Sequence, residues 1–209
     1  MGAFEALPGP VGAYRPRRTA ASSDLYAMTD TVFNTDYTNP VGGVASIITY
    51  SETDHRMTNA VNGADRTAIL RTGYGATGQK RAFEIECVVK AEQVMVIGFR
   101  NGAVPPATDA NPGSVAGEVA YDSNGDKRVG GVTSSYGASW GAGAKITGLY
   151  DYDAGTIEFW LNGASQGIAA TGITGSKYPA CYSNGNTTAS ARVSTASSYT
   201  LTGGFLFWL

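Results

Sequence analysis

The chain has 209 residues and a mass of 21.7 kDa, one domain's worth or one domain plus an arm. Charged residues are only 15% of it, with Lys+Arg 15 against Asp+Glu 17, which excludes a basic nucleic-acid-binding surface and an acidic disordered tail. Gly 28, with 16 Ser and 22 Thr, biases the chain toward strands joined by tight turns, while 43% hydrophobic residues, including 12 Tyr, 7 Phe and 3 Trp, suffice for a core.

Residues 1–24 carry Pro8, Pro10 and Pro16 beside Arg15, Arg17 and Arg18, with no apolar periodicity, and read as an extended arm. Such a leader becomes ordered by docking on a neighbour. Glu5, Pro8 and Pro10 interrupt any apolar core there, so no signal peptide is expected, and no apolar run reaches membrane-spanning length. Residues 25–209 read as one β domain. In Ala82–Lys90, Phe83, Ile85, Cys87 and Val89 alternate with mostly polar residues, the pattern of a half-buried strand. Val94–Phe99 is a continuous apolar run and reads as a buried strand. The stretch Gly102–Pro112, with Pro105 and Pro106, is the longest breaker inside the domain. Asn124-Gly125 and Asn162-Gly163 are hairpin signals. Thr156–Leu161 places Ile157, Phe159 and Leu161 on one face and Thr156, Glu158 and Trp160 on the other. Many short strands without helical periodicity predict an all-β sandwich or barrel.

Constellations for catalysis are thin. Glu84 and Glu86 begin the three-acid strand pattern of sandwich glycosidases, but Val88 and Val89 stand where the third acid belongs, so they read as a polar face. His55 is the sole histidine and cannot build a metal cluster or a triad. Asp122–Asp126 offers oxygens at alternate positions, but Lys127 and Thr133 replace the residues a calcium loop needs, leaving a hairpin turn. No catalytic residue, metal ligand or cofactor is expected. Cys87 and Cys181 are too few for a disulfide framework, and Cys87 reads as a buried free thiol.

The order of several stretches resembles the SPRY domain family. Gly75–Ile85 is similar to the family's "sGkwYFEV" opening, Val96–Phe99 to its "vGva" strand, and Gly117–Asp122 to its "gyd" strand. Gly143–Gly163 resembles "GDvIGvllDldngtlsFyvNG", followed by Gln166-Gly167 and by Tyr178–Ala180 in place of "lPav". Ala144, Thr147 and Ala82 depart from the pattern, which bears on inherited ligand contacts rather than on the fold. The similarity covers about residues 73 to 195. It implies two antiparallel sheets packed face to face, a concanavalin-like jelly roll, with binding through loops at one edge and no enzymatic activity.

Tyr136 and Trp140 in the Gly-rich SSYGASWGAG stretch, and Trp160, form the expected ligand-binding set, since flat rings beside polar loops stack on sugars or anchor a protein partner. The alternative for Trp160 is that it faces the second sheet. Phe205, Phe207 and Trp208, in the apolar run 203–209, are expected to form a terminal strand or, with Arg15, Arg17 and Arg18, to dock on neighbouring subunits. The leading expectation is a non-enzymatic bacteriophage virion protein: a capsid decoration, head spike or tail-fibre component. It would contact other virion proteins, form a homo-oligomer, and turn its loops to a host-surface glycan or protein, with no nucleic-acid or membrane partner. A free-standing lectin-like carbohydrate-binding module is the alternative, followed by a peptide-binding SPRY adaptor.

Overall fold

The computed structural model describes residues 48–51, 56–59, 66–69, 77–91, 93–102, 111–184, 188–194 and 196–207. The arm with Arg15, Arg17 and Arg18, His55, most of the 102–112 breaker, and Trp208 lie outside the described residues. Among the described residues fourteen strands run in chain order as β1 (Ile48–Ser51), β2 (Arg56–Asn59), β3 (Arg66–Ile69), β4 (Lys80–Val89), β5 (Val94–Arg100), β6 (Val119–Asp122), β7 (Asp126–Val129), β8 (Val132–Ser135), β9 (Lys145–Asp151), β10 (Thr156–Leu161), β11 (Ala164–Ala170), β12 (Tyr178–Asn184), β13 (Ala189–Val193) and β14 (Leu206–Phe207). They form two sheets. An eight-stranded sheet is ordered β1-β2-β13-β4-β9-β10-β11, with β14 added against β4, and a six-stranded sheet is ordered β3-β12-β5-β6-β7-β8. Every pairing is antiparallel except the short β14–β4 contact, so the expected sandwich is the observed one.

The alternation read from the sequence decides which side chains meet between the sheets. Phe83, Ile85 and Cys87 of β4, Ile146 and Tyr150 of β9, and Ile157 and Phe159 of β10 project from the larger sheet into a single buried cluster. Met95, Ile97 and Phe99 of β5, with Val119 and Tyr121 of β6, answer them from the smaller one. Phe99 lies at its centre. Its ring is 5.0 Å from that of Phe83 at 70°, 5.9 Å from Phe159 and 6.1 Å from Tyr150. Edge-to-face and tilted contacts of this kind add about 0.5–1.5 kcal/mol each beyond the burial of their area. Gly148 of β9 makes room for them, since a Cβ there would sit 2.4 Å from Phe83 Cε1 and 3.0 Å from Phe99 Cε2.

Turns follow their local chemistry. Asn162 and Gly163 take φ 51° and 82° and join β10 to β11 with Leu161 opposite Ala164, the two-residue turn that matches strand twist. Asn124-Gly125 closes β6 onto β7, with Gly125 at φ 98°. The alternation of β4 fails at its end. Ser190 faces Val89 while Ala191 faces Cys87, so β4 holds one extra residue there, and the bulge leaves Val89 39% exposed instead of in the core.

The outer face of β4 is not the solvated face that Glu84 and Glu86 suggested. Ser194 and residues 196–207 cross it as a strap. Glu84 is fully buried beneath this strap and accepts hydrogen bonds from Ser194 Oγ at 2.8 Å, Ser198 Oγ at 2.7 Å and Ser198 N at 3.0 Å. Ser198 Oγ also accepts from Lys145 Nζ at 2.8 Å. The Tyr199 ring then lies against Gly163, and the chain returns to pair Leu206 and Phe207 with Arg81 and Ala82. Phe205 stands 5.8 Å from Lys80 Nζ, and Phe205 and Phe207 are both half-buried against their own subunit.

Substituting Gly148→Ala forces a methyl group into the ring cluster and is expected to cost about 1–3 kcal/mol, read as a lowered urea midpoint with unchanged slope. Adding Phe83→Leu should recover part of that loss. A double variant whose loss is the sum of the two single losses would show that Gly148 does not serve the ring packing.

Candidate binding surfaces

The three aromatic residues expected to bind ligand have three different environments. Trp140 is 6% exposed and belongs to the core, its ring 6.1 Å from Tyr121 at 61°. This corrects the expectation of an exposed ring: the Gly-rich loop folds its tryptophan inward because Trp140 N donates to Ser123 O at 3.0 Å and holds the loop on the β6–β7 turn. Its Nε1 is buried without a hydrogen-bond partner. Tyr136 is half-buried and packs edge-on against Tyr121 at 5.3 Å and Phe159 at 6.4 Å. Its hydroxyl donates to Gly167 O and accepts from Phe159 N at 3.1 Å, so it fastens the loop to the edge of the larger sheet.

Trp160 alone keeps the outward orientation read from β10. It is half-buried, and its Nε1 donates to Glu158 Oε1 at 2.6 Å. Ser165 Oγ donates to the same oxygen at 2.5 Å. Ile168, paired with Glu158 across β10–β11, is 54% exposed. An indole, a carboxylate and a hydroxyl therefore share one outer patch at the β10–β11 edge. That combination offers both a stacking plane and a directed acceptor.

A second surface lies at the end of the sandwich where β5, β9 and β11 finish and β6, β10 and β12 begin, and the sequence reading did not single it out. Tyr150 Oη donates to Gly175 O at 2.9 Å. Lys177 is 2% exposed, and its ammonium donates to Thr174 O at 2.6 Å and to Asn101 Oδ1 at 2.8 Å. Asn101 Nδ2 in turn donates to Ala116 O at 2.8 Å. Two loops that are distant in sequence, 171–177 and 113–118, are thus tied to each other through one buried lysine. Beneath them Arg100 Nε donates to Glu118 Oε1 at 3.1 Å, both side chains buried, while Glu118 Oε2 carries no hydrogen bond. Burial pushes the Lys177 ammonium below its ordinary value, with Glu118 opposing. At the same end Asp153 receives Gly78 N at 2.9 Å, and Lys80 pairs with Asp151 at 2.8 Å. Burial raises the Asp151 carboxyl, but the Lys80 hydrogen bond and charge, together with the Ala154 and Asp153 backbone N–H groups, outweigh it and hold that group below its ordinary value.

Among the described residues no group of three or more His, Cys, Asp or Glu could hold a metal ion. Asp122 is consumed by its own turn, accepting Asn124 N at 2.9 Å and pairing with Arg128 at 3.3 Å. Burial pushes the Cys87 thiol up to about 11 and raises that of Cys181 as well, which keeps both protonated and unreactive near neutrality. Burial likewise pushes the Tyr136, Tyr121 and Tyr150 hydroxyls up to about 12.

A hydroxyl whose folded value lies above its unfolded one contributes stability below the unfolded value and loses it as pH rises through the folded one. Tyr136→Phe is expected to cost about 1–2 kcal/mol at pH 7, from its two hydroxyl hydrogen bonds. Its stability gap to the wild type should narrow between pH 10 and 12, as urea titrations would show. A constant gap across that window would refute the assignment.

Comparison with known proteins places this geometry. The SPRY domain family model matches residues 80–195, from the first residue of β4 to just past β13. A human SPRY domain superposes with a TM-score of 0.59 at 16% identity, covering 68% of this chain and 93% of that one. The SPRY domain of human HERC1 superposes with a TM-score of 0.55 at 19% identity, covering 67% and 87%. The order of strands, the inward aromatic residues and the family match over more than half of its length agree: this chain belongs to the SPRY domain family.

Proposed function

We propose that the chain is a non-enzymatic binding protein that serves as a structural or decoration component of a virion, with the loop end of its sandwich turned to a host-surface ligand. The observation that carries the binding role is the Lys177 tie between loops 113–118 and 171–177. Loops held by buried side chains keep one shape in the free protein, which lowers the ordering cost of binding. The protonated thiols and the self-satisfied Asp122 turn support a role without chemistry. The particle setting is supported by composition: few charges, many small residues, and a Pro/Arg leader suited to docking on a neighbour.

The lectin-like reading is favoured by one specific arrangement, the Trp160–Glu158–Ser165 patch, in which a carboxylate stands beside an indole plane.

Two measurements test these readings. At concentrations below about 10 µM, the full chain and a chain starting at Ser23 should differ in oligomeric mass, the first forming a defined assembly and the second a monomer; equal masses would remove the arm from any assembly role. On a glycan array the virion reading with a protein ligand expects silence from both the wild type and Trp160→Ala. A signal lost by about tenfold or more in the variant would establish the lectin-like reading instead.

A further inference from the structure

We infer that the edge of β8, unpaired among the described residues, is a pairing surface for a second copy of this chain. The argument starts at the turn before it. Gly130 and Gly131 take φ 58° and 91° and close Val129 onto Val132, a two-residue turn of the type that fixes hairpin register. In such a hairpin the closing pair is hydrogen-bonded, and the next hydrogen-bonded pair is Lys127 with Ser134. Thr133 and Ser135 therefore turn their amide N–H and carbonyl groups away from β7. All four side chains of β8 are exposed, Val132 at 67%. The strand holds no lysine, proline, charge or bulge, the features by which proteins blunt an edge.

The edge of the larger sheet on the same side is treated in the opposite way. β11 is distorted by register shifts against β10, and Gly167 takes φ 89°. The carbonyl of Gly167 accepts from the Tyr136 hydroxyl, and that of Ala169 accepts from Lys127 Nζ at 2.8 Å. One edge is distorted and capped by side chains; the other keeps an unbroken register with β7 and has no cap among the described residues.

The occupant follows from charge and register. A two-fold axis at Ser134 sets Thr133 of one copy opposite Ser135 of the other, so each outward N–H meets an outward carbonyl on both sides of the axis. Thr133, Ser134 and Ser135 meet their counterparts across the seam, with Val132 opposite Tyr136 at its ends, and no like charges are opposed. The two six-stranded sheets then continue as one. Because β8 has four residues, the contact is short and its occupancy depends on concentration.

The test uses position 134, which is exposed, so its variants retain the fold. Ser134→Lys and Ser134→Glu each place like charges directly opposite across the axis. Sedimentation equilibrium from roughly 10 µM to 1 mM, where short interfaces associate, is the readout. The wild-type mass should about double across that range, and each variant alone should associate about tenfold or more weakly. An equimolar mixture of the two variants should regain wild-type association. A wild type that stays at its monomer mass, variants that associate like the wild type, or a mixture that is not restored would each overturn the inference. Repeating the series on the chain starting at Ser23 separates this edge from the arm. Assembly that depends on residues 1–22 and ignores position 134 overturns the β8 edge and leaves the proposed function standing.

Discussion

Phe99 packing against Phe83, Phe159 and Tyr150 is the contact on which the molecule depends, because it is where the two sheets meet. Neither sheet can bury its apolar face alone, and these rings come from β5 in one sheet and β4, β10 and β9 in the other. The packing is possible only because Gly148 withdraws its side chain, a glycine conserving space rather than backbone freedom. The cluster continues through Tyr121 to Tyr136 and Trp140, so the same interaction that joins the sheets also draws the 136–144 loop onto the body.

Polar groups are arranged around this core at two depths. On the outer face of the larger sheet, Glu84 is a buried carboxylate that is tolerated because Ser194 and Ser198 donate to it. That network holds the strap and in turn gives β14 its place beside β4. At the loop end, Lys177 plays the corresponding part with carbonyl and amide oxygens as acceptors. In both places an ionisable group inside the protein organises a segment that has little apolar anchorage of its own.

The surface left over is unequal. Tyr136 and Lys127 cap the β11 edge, Tyr199 covers the β10–β11 turn, and Trp160 is tethered to Glu158. Among the described residues the Trp160 patch, the loop end and the outer edge of β8 are left open.

Sequence by itself determined the strands, the faces and the family. Alternation in Phe83–Cys87 and Ile157–Phe159 named the core because a period of two assigns each side chain to one side of a strand. Asn162-Gly163 named its hairpin because positive φ is cheap for those residues. Alternation does not say what lies over the other side. Glu84 looked solvated until Ser194 and Ser198 folded onto it, Trp140 looked exposed until a backbone bond to Ser123 turned its loop inward, and Val89 left the core at a bulge that exists only in the pairing with β13. The Lys177 tie had no local signal, since its acceptors are Thr174 nearby and Asn101 far away in the chain. Pattern within one strand is a local property that the sequence carries. Cover, register and long-range ties depend on which segments come together, and only the tertiary structure decided those.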